Sequence, residues 1–146
     1  MRRRISSIES CENLGEVTFA LDGDLGGLAP LASEVAHFCQ ASGLGDEMRL
    51  DLNLALEELF ANALRHGGCL GTRHAVEIRL ESASGGVWAE FADRGAAFNP
   101  LSAPEPDAGR VGGMGLRLVR GIMQELRYER VGDWNRIRMR RAGKST

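Results

Sequence analysis

Cysteine is scarce in this 146-residue chain: Cys11, Cys39 and Cys69 are odd in number, far apart and in no C-x-x-C arrangement. Such spacing argues against a disulfide framework and a zinc site, and it fits a reducing compartment. Long apolar runs are missing too. No stretch approaches the roughly 18 apolar residues of a membrane span, and the basic opening MRRRISSIES leads into no apolar signal-peptide core. A cytoplasmic protein without membrane contact is expected. Nor is one charge in excess: the net value of -2 at pH 7 does not advertise direct nucleic-acid binding. Aromatic residues make up only 5% of the chain. Its 43% hydrophobic and 26% charged residues are nevertheless ordinary for a soluble globular protein, which argues against disordered and fibrous classes. One domain is expected, since domains most often run to roughly 100–150 residues.

What is present begins with periodicity. Val17, Phe19 and Leu21 alternate along Glu16 to Leu21 and predict a strand, closed by the turn DGDLGG. Leu31, Val35, Phe38 and Cys39 keep helical spacing between Leu28 and Ala41. A second helix is predicted from Asp46, read as its cap, to His66, with Gly67 and Gly68 as its stop. HAVEIRLES (His74 to Ser82) and VWAEFAD (Val87 to Asp93) alternate around ASGG and predict an antiparallel hairpin. An irregular stretch, Asn99 to Val111, carries three prolines; a loop of more than roughly 12 residues in so small a domain is usually functional or disordered. Met114 to Gln124 predicts a helix, and LRYERV and NRIRMRR a final strand pair. From Arg120 onward basic residues outnumber acidic ones, which reads as a solvated basic edge on the last strands. Helices mixed with antiparallel strands give an α+β class.

Three places invite chemistry. On the second helix Leu52, Leu56, Leu59, Phe60, Ala63 and Leu64 form an apolar stripe, while Asp51, Glu58, Asn62 and Arg65 face the other way, with Ala55 among them and His66 at the margin. Glu58 and Asn62 are four apart and share a face. An asparagine carbonyl is a hard oxygen ligand for Mg²⁺ that adds no charge beside anionic phosphates. A glutamate one turn away can take a proton from an attacking hydroxyl or water. After the hairpin, ADRGAAFNP places Asp93 where a carboxylate accepts from an exocyclic amine, and Gly95 where backbone approaches a planar base. Finally, GRVGGMGLRLVRG packs Gly112, Gly113 and Gly115 into a helix start, where free N–H groups and the helix dipole favour anions. A proline-containing loop precedes it, so it is no dinucleotide fingerprint, and the terminal GKST lacks the context of a P-loop. Each signal alone is commonly structural: helix polars facing solvent, an ordinary Asp-x-Gly turn, a flexible joint.

Their joint order is specific. ALEELFANALRHGG, DRGAAFNP and VGGMGLRLVRGIMQELRYER resemble the anti-sigma factor serine/threonine kinases, within the Bergerat-fold ATP-binding superfamily of gyrase, heat-shock chaperone, histidine kinase and mismatch-repair proteins. The resemblance implies a two-layer α+β sandwich, a mixed and mainly antiparallel sheet covered on one face by helices. It spans residues 16–141 as a histidine-kinase-like ATPase/kinase domain, with 1–15 a tail or extra edge segment and 142–146 a tail. It also implies ATP and Mg²⁺ as cofactors. Asn62 would hold Mg²⁺ on the phosphates, Glu58 would be the general base, and Asp93 with Gly95 would bind adenine, alongside Ala97 and Phe98. The lid would run from Asn99 to Val111, with Gly112, Gly113, Met114, Gly115 and Leu116 at its hinge and phosphate end. His66 fits either a place near the phosphates or a complement to the helix dipole. The implied substrate is a serine or threonine of a STAS-domain anti-anti-sigma protein, with a sigma factor or other regulator as the competing partner. Family members often pair as homodimers, which no single face of this sequence decides.

The chain departs from the family pattern at three points. Ala97 stands where many members carry a second glycine, a methyl expected to narrow the pocket floor. Asn99 replaces a common aspartate, and the lid is short and poor in positive charge. Two other readings remain open at the sequence level: an ATP-gated partner-binding module without kinase activity, favoured if Glu58 is dispensable, and a detached histidine-kinase catalytic domain, distinguished by an acid-labile product.

Overall fold

The computed structural model describes residues 2–5, 8–13, 15–99, 101 and 114–143. Seven strands form one sheet: β1 (Arg2–Ile5), β2 (Ile8–Asn13), β3 (Glu16–Leu21), β4 (Val76–Ala83), β5 (Gly86–Asp93), β6 (Gln124–Val131) and β7 (Trp134–Arg141). Their order is β1-β2-β3-β4-β5-β7-β6, and every recorded pairing is antiparallel. A 3₁₀ turn, Leu25–Gly27, leads into helix α1 (Leu28–Ala41), followed by α2 (Asp46–His66) and, late in the chain, α3 (Met114–Ile122). The α+β two-layer class expected from the sequence is borne out. Residues 1–15 hold β1 and β2, which extend the sheet beyond β3.

Alternation decides which sheet face is covered. Val17, Phe19 and Leu21 on β3, Ile78 and Leu80 on β4, Ala89 and Phe91 on β5, and Ile137 and Met139 on β7 are all buried in one cluster with Leu31, Val35, Leu52, Leu56 and Phe60 of α1 and α2. A fully buried leucine or phenylalanine contributes roughly 1.5–3 kcal/mol over leaving it in water. This cluster is therefore what presses the helices onto the sheet. The β4–β5 connection is a two-residue turn with Ser84 and Gly85 both at positive φ (52° and 78°), the twist that closes a tight hairpin.

Three local expectations are corrected. Gly45, not Asp46, is the cap of α2, with no side-chain cap bond; Asp46 lies inside the first turn, where with Glu47 its charge complements the helix dipole. Ala55, grouped with the polar residues of α2, is fully buried, because α1, α3 and β5 all contact this helix and widen its covered arc beyond one stripe. The last helix stops at Ile122 rather than Gln124. Met123 closes it through its N–H to the Val119 carbonyl, and Glu125 takes φ 53° as the chain turns into β6 at an irregular register. Asp51, on the exposed side of α2, receives Arg141 of β7 at 2.9 Å and ties the helix to the sheet.

Candidate functional site

Two segments converge at the C-terminal end of α2. Gly67 caps the helix through its N–H to Ala63, and Gly68 follows at φ 72°. The loop after β5 then runs against this end, with the Ala96 N–H donating to the Gly67 carbonyl at 3.1 Å. Gly95 is buried at the contact. A Cβ there would lie 2.5 Å from the Gly67 oxygen and 2.8 Å from Asp93 Oδ1, so the position tolerates no side chain without movement.

Between α2 and the sheet lies a narrow cleft open to solvent. Leu59, Phe91 and Ile137 give it apolar walls, and Asn62, Asp93, Phe98 and Asn135 line it as well. That mixture suits a flat, largely apolar ligand fixed by a few polar groups. Asp93 stands at the end of β5, and its hydrogen bonds among the described residues all fall on Oδ1. Gly95 N–H donates to it at 2.9 Å and Asn135 Nδ2 at 3.0 Å, with the Cys69 thiol at 3.9 Å. Oδ2 is left to accept from a ligand. Burial, and next the Asp93 charge, push the Cys69 thiol above its ordinary pKa, which keeps it a protonated donor to the carboxylate.

The site residues expected from sequence divide into groups. Asn62, Asp93 and Phe98 line the one cleft, and Gly95 shapes its floor. Glu58 is half-buried one turn before Asn62 on α2 and does not line the cleft itself. His66 is exposed in the last turn of α2, where its ring lies 6.2 Å from that of Phe98, at the cleft rim, in a tilted arrangement. Ala97 is exposed and does not line the cleft, so its methyl group does not narrow the floor as expected. Leu116 is half-buried and packs against the core from α3. Met114 and Gly115 open α3. Gly112 and Gly113, and the lid beyond Leu101, lie outside the described residues. At the lid root, Asn99 Oδ1 accepts from Leu101 N–H at 2.9 Å, and Arg120 donates to the Leu101 carbonyl.

Asn135 was not singled out by any motif, yet it is the most connected side chain in the site. A signal did exist: in NRIRMRR the positions Asn135, Ile137 and Met139 alternate inward, so a polar residue falls on the covered face. A buried polar group that persists there needs partners.

A family model described as "Histidine kinase-like ATPase domain" matches residues 21–141. The chain belongs to this family. The serine/threonine-protein kinase BtrW of Bordetella bronchiseptica is 30% identical over 119 residues, which cover 75% of this chain and 84% of that protein. The resemblance to anti-sigma factor kinases drawn from the motifs is thereby borne out. Among solved structures, the RsbU and RsbW domains of Rv1364c from Mycobacterium tuberculosis align over 90% of this chain at a TM-score of 0.63 and 16% identity. The blue-light activated histidine kinase EL346 of Erythrobacter litoralis aligns over 80% at a TM-score of 0.51 and 22% identity. This chain spans 34% and 40% of those two chains, and at such identities they show the fold alone. Among the described residues no helix is long and apolar enough to cross a membrane.

Proposed function

We propose that this ATPase-family domain is an ATP-dependent serine/threonine protein kinase of the anti-sigma-factor type. It phosphorylates a serine or threonine of a STAS-type anti-anti-sigma partner, and it holds a regulator, a sigma factor in the family's usual arrangement, until the partner displaces it. The observation that carries this reading is the convergence of Asn62 from α2 and Asp93 from β5 on one cleft, with Glu58 one turn behind Asn62.

In this mechanism the adenine amine donates to Asp93 Oδ2 and the ring lies between the apolar walls of the cleft. The phosphates extend along α2 past Asn62. Among the described residues no cluster of three or more acidic, histidine or cysteine side chains forms a metal cage. The Asn62 side-chain carbonyl on the cleft is a hard oxygen of the kind Mg²⁺ takes, an ion that usually completes its shell with phosphate oxygens and water. Asn62 would hold the ion, whose charge offsets that of the phosphates. Glu58, with no hydrogen-bond partner among the described residues, accepts the proton of the substrate hydroxyl as its oxygen bonds to the γ-phosphorus and the bond to the ADP oxygen breaks. Catalysis here is mostly positioning and electrostatics, as for phosphoryl transfer in general.

The test is calorimetric titration of the purified chain with ATP, with and without Mg²⁺, followed by transfer of labelled γ-phosphate to a STAS-domain protein. Magnesium-dependent binding and an acid-stable phosphoprotein are expected. A folded chain that ignores millimolar ATP, or an acid-labile product, overturns the proposal.

A further inference from the structure

We propose that Asn135 is the positioning residue that fixes the Asp93 carboxylate, and that the outer strand β6 holds Asn135 in place through Tyr128 and Arg130. The inference rests on reading the cleft as a nucleotide site.

Asn135 is 4% exposed, and every polar atom of its side chain is engaged. Its Oδ1 accepts from Tyr128 Oη at 2.6 Å, the Phe98 N–H at 3.2 Å and Arg130 Nη1 at 3.2 Å. Three donors around one atom identify it as the carbonyl oxygen, since the amide nitrogen cannot accept from them. The NH₂ group must then point the other way. There it donates to Asp93 Oδ1 at 3.0 Å and to the Ala96 carbonyl at 2.9 Å, with the Gly95 carbonyl at 3.4 Å. Arg130 Nη1 also reaches the Gly95 carbonyl at 2.7 Å, so β6 grips the Asp-x-Gly loop directly as well.

The consequence is directional. With Oδ1 occupied by Asn135 and Gly95, the carboxylate has one orientation, and Oδ2 alone serves a ligand donor. The same amide oxygen holds the Phe98 N–H, so the rim of the cleft and its floor share one anchor. Tyr128 and Arg130 do not line the cleft. Any influence they have on ligand affinity passes through Asn135 and the loop.

Asn135→Asp separates positioning from simple packing. The substitution is isosteric and keeps an acceptor for Tyr128, Phe98 and Arg130. It replaces the donor facing Asp93 with an oxygen about as close as the NH₂ it removes. Charged and titratable groups around the new carboxylate are Asp93 on β5, the Cys69 thiol from the loop after α2, and Arg130 and Tyr128 on β6. Two carboxylates at such a distance share a proton when one is available. ATP and ADP should both bind at least tenfold more weakly than to wild type at pH 7.5, by the same factor, because the defect lies at the base end. That ratio to wild type should shrink as pH falls toward 5.5, where the shared proton restores a hydrogen bond between the two side chains. Tyr128→Phe, which removes one donor to Oδ1 outside the cleft, should weaken both nucleotides two- to fivefold with no pH trend in the ratio. It also decides the matter if the aspartate variant fails to fold. Folded variants that bind within twofold of wild type across this pH range overturn the inference. Wild type that binds neither nucleotide overturns the nucleotide reading first, and this inference with it.

Discussion

At the Asp93 end of the cleft, one carboxylate oxygen takes donors from Gly95 and Asn135, and the loop beyond is bonded to Gly67 at the end of α2. At the other end, Glu58 and Asn62 are half-buried on α2 and have no hydrogen-bond partner among the described residues. The difference separates recognition from chemistry. The groups proposed to choose the base are held in advance by the fold, which would reduce the ordering cost of binding. The groups proposed to act on phosphate keep unused hydrogen-bonding capacity, available to a ligand and a substrate hydroxyl. On the proposed reading, such a site would bind nucleotide alone and complete its reactive end only with its partners present.

The sharpest way to test that division is Glu58→Gln. It preserves shape and removes the proton acceptor, so phosphoryl transfer should fall by roughly 10²–10⁴, the usual range for general base catalysis, while ATP affinity stays within about twofold in calorimetry. Loss of binding by this variant would break the comparison, since it would make the phosphate end as structural as the base end. Asp93→Ala is the counterpart. It removes the acceptor for the base and leaves Gly95 N–H and Asn135 Nδ2 without their partner. ATP affinity should fall roughly 10- to 150-fold, the cost of one charge-assisted hydrogen bond of roughly 1.5–3 kcal/mol. The same variant should melt earlier even without nucleotide, because two buried donors lose their acceptor.

The fold was largely legible because its signals are periodic. Leu31, Val35, Phe38 and Cys39 were read as one helical face, and all four are buried; Val17, Phe19 and Leu21 were read as one strand face, and they are buried too. Asp93 and Gly95 were legible as chemistry only through their order with Glu58, Asn62 and the glycine-rich helix start, because an Asp-x-Gly step alone is an ordinary turn. Asn135 was not, because its role depends on three elements that meet only in space: β6, the loop after β5, and the cleft floor. Ala55 was misplaced for a related reason. Helical spacing tells which residues share a side, and only packing tells how wide the covered side is. Its place in the motif puts Ala97 on the pocket floor, whereas in the fold it is exposed.

Gly95→Ala probes the rigid end without touching its charges. The added methyl would sit 2.5 Å from the Gly67 carbonyl and 2.8 Å from Asp93 Oδ1, so either the loop lifts from α2 or the carboxylate swings. Overpacking of this kind costs about 1–3 kcal/mol, read as a lowered midpoint in denaturant with an unchanged slope. ATP affinity should weaken alongside. An alanine variant as stable and as tight as wild type would mean that the loop is softer than its hydrogen bonds imply.

The smallest effect is expected on the uncovered face of the sheet, where the comparison predicts independence. Arg138 and Arg140 of β7 lie over the Trp88 ring of β5, at 4.7 Å and 5.8 Å from its centre, and Arg136 pairs with Glu90 and Glu129. With Arg140 also paired to Glu125 at 3.6 Å, the basic excess of the last strands is organised by an indole and carboxylates rather than spread along a bare edge. Exposed cation–π contacts are worth about 0.5–1 kcal/mol, so Arg138→Ala should lower stability by no more than that, with ATP affinity unchanged. The inward residues of the same strand explain why. Asn135, Ile137 and Met139 face the helices, and alternation sends Arg136, Arg138 and Arg140 to the other side of a well-packed sheet. A change in nucleotide affinity on losing Arg138 would require β7 itself to shift, and it would show first as a weakened Asn135 hydrogen bond to Asp93.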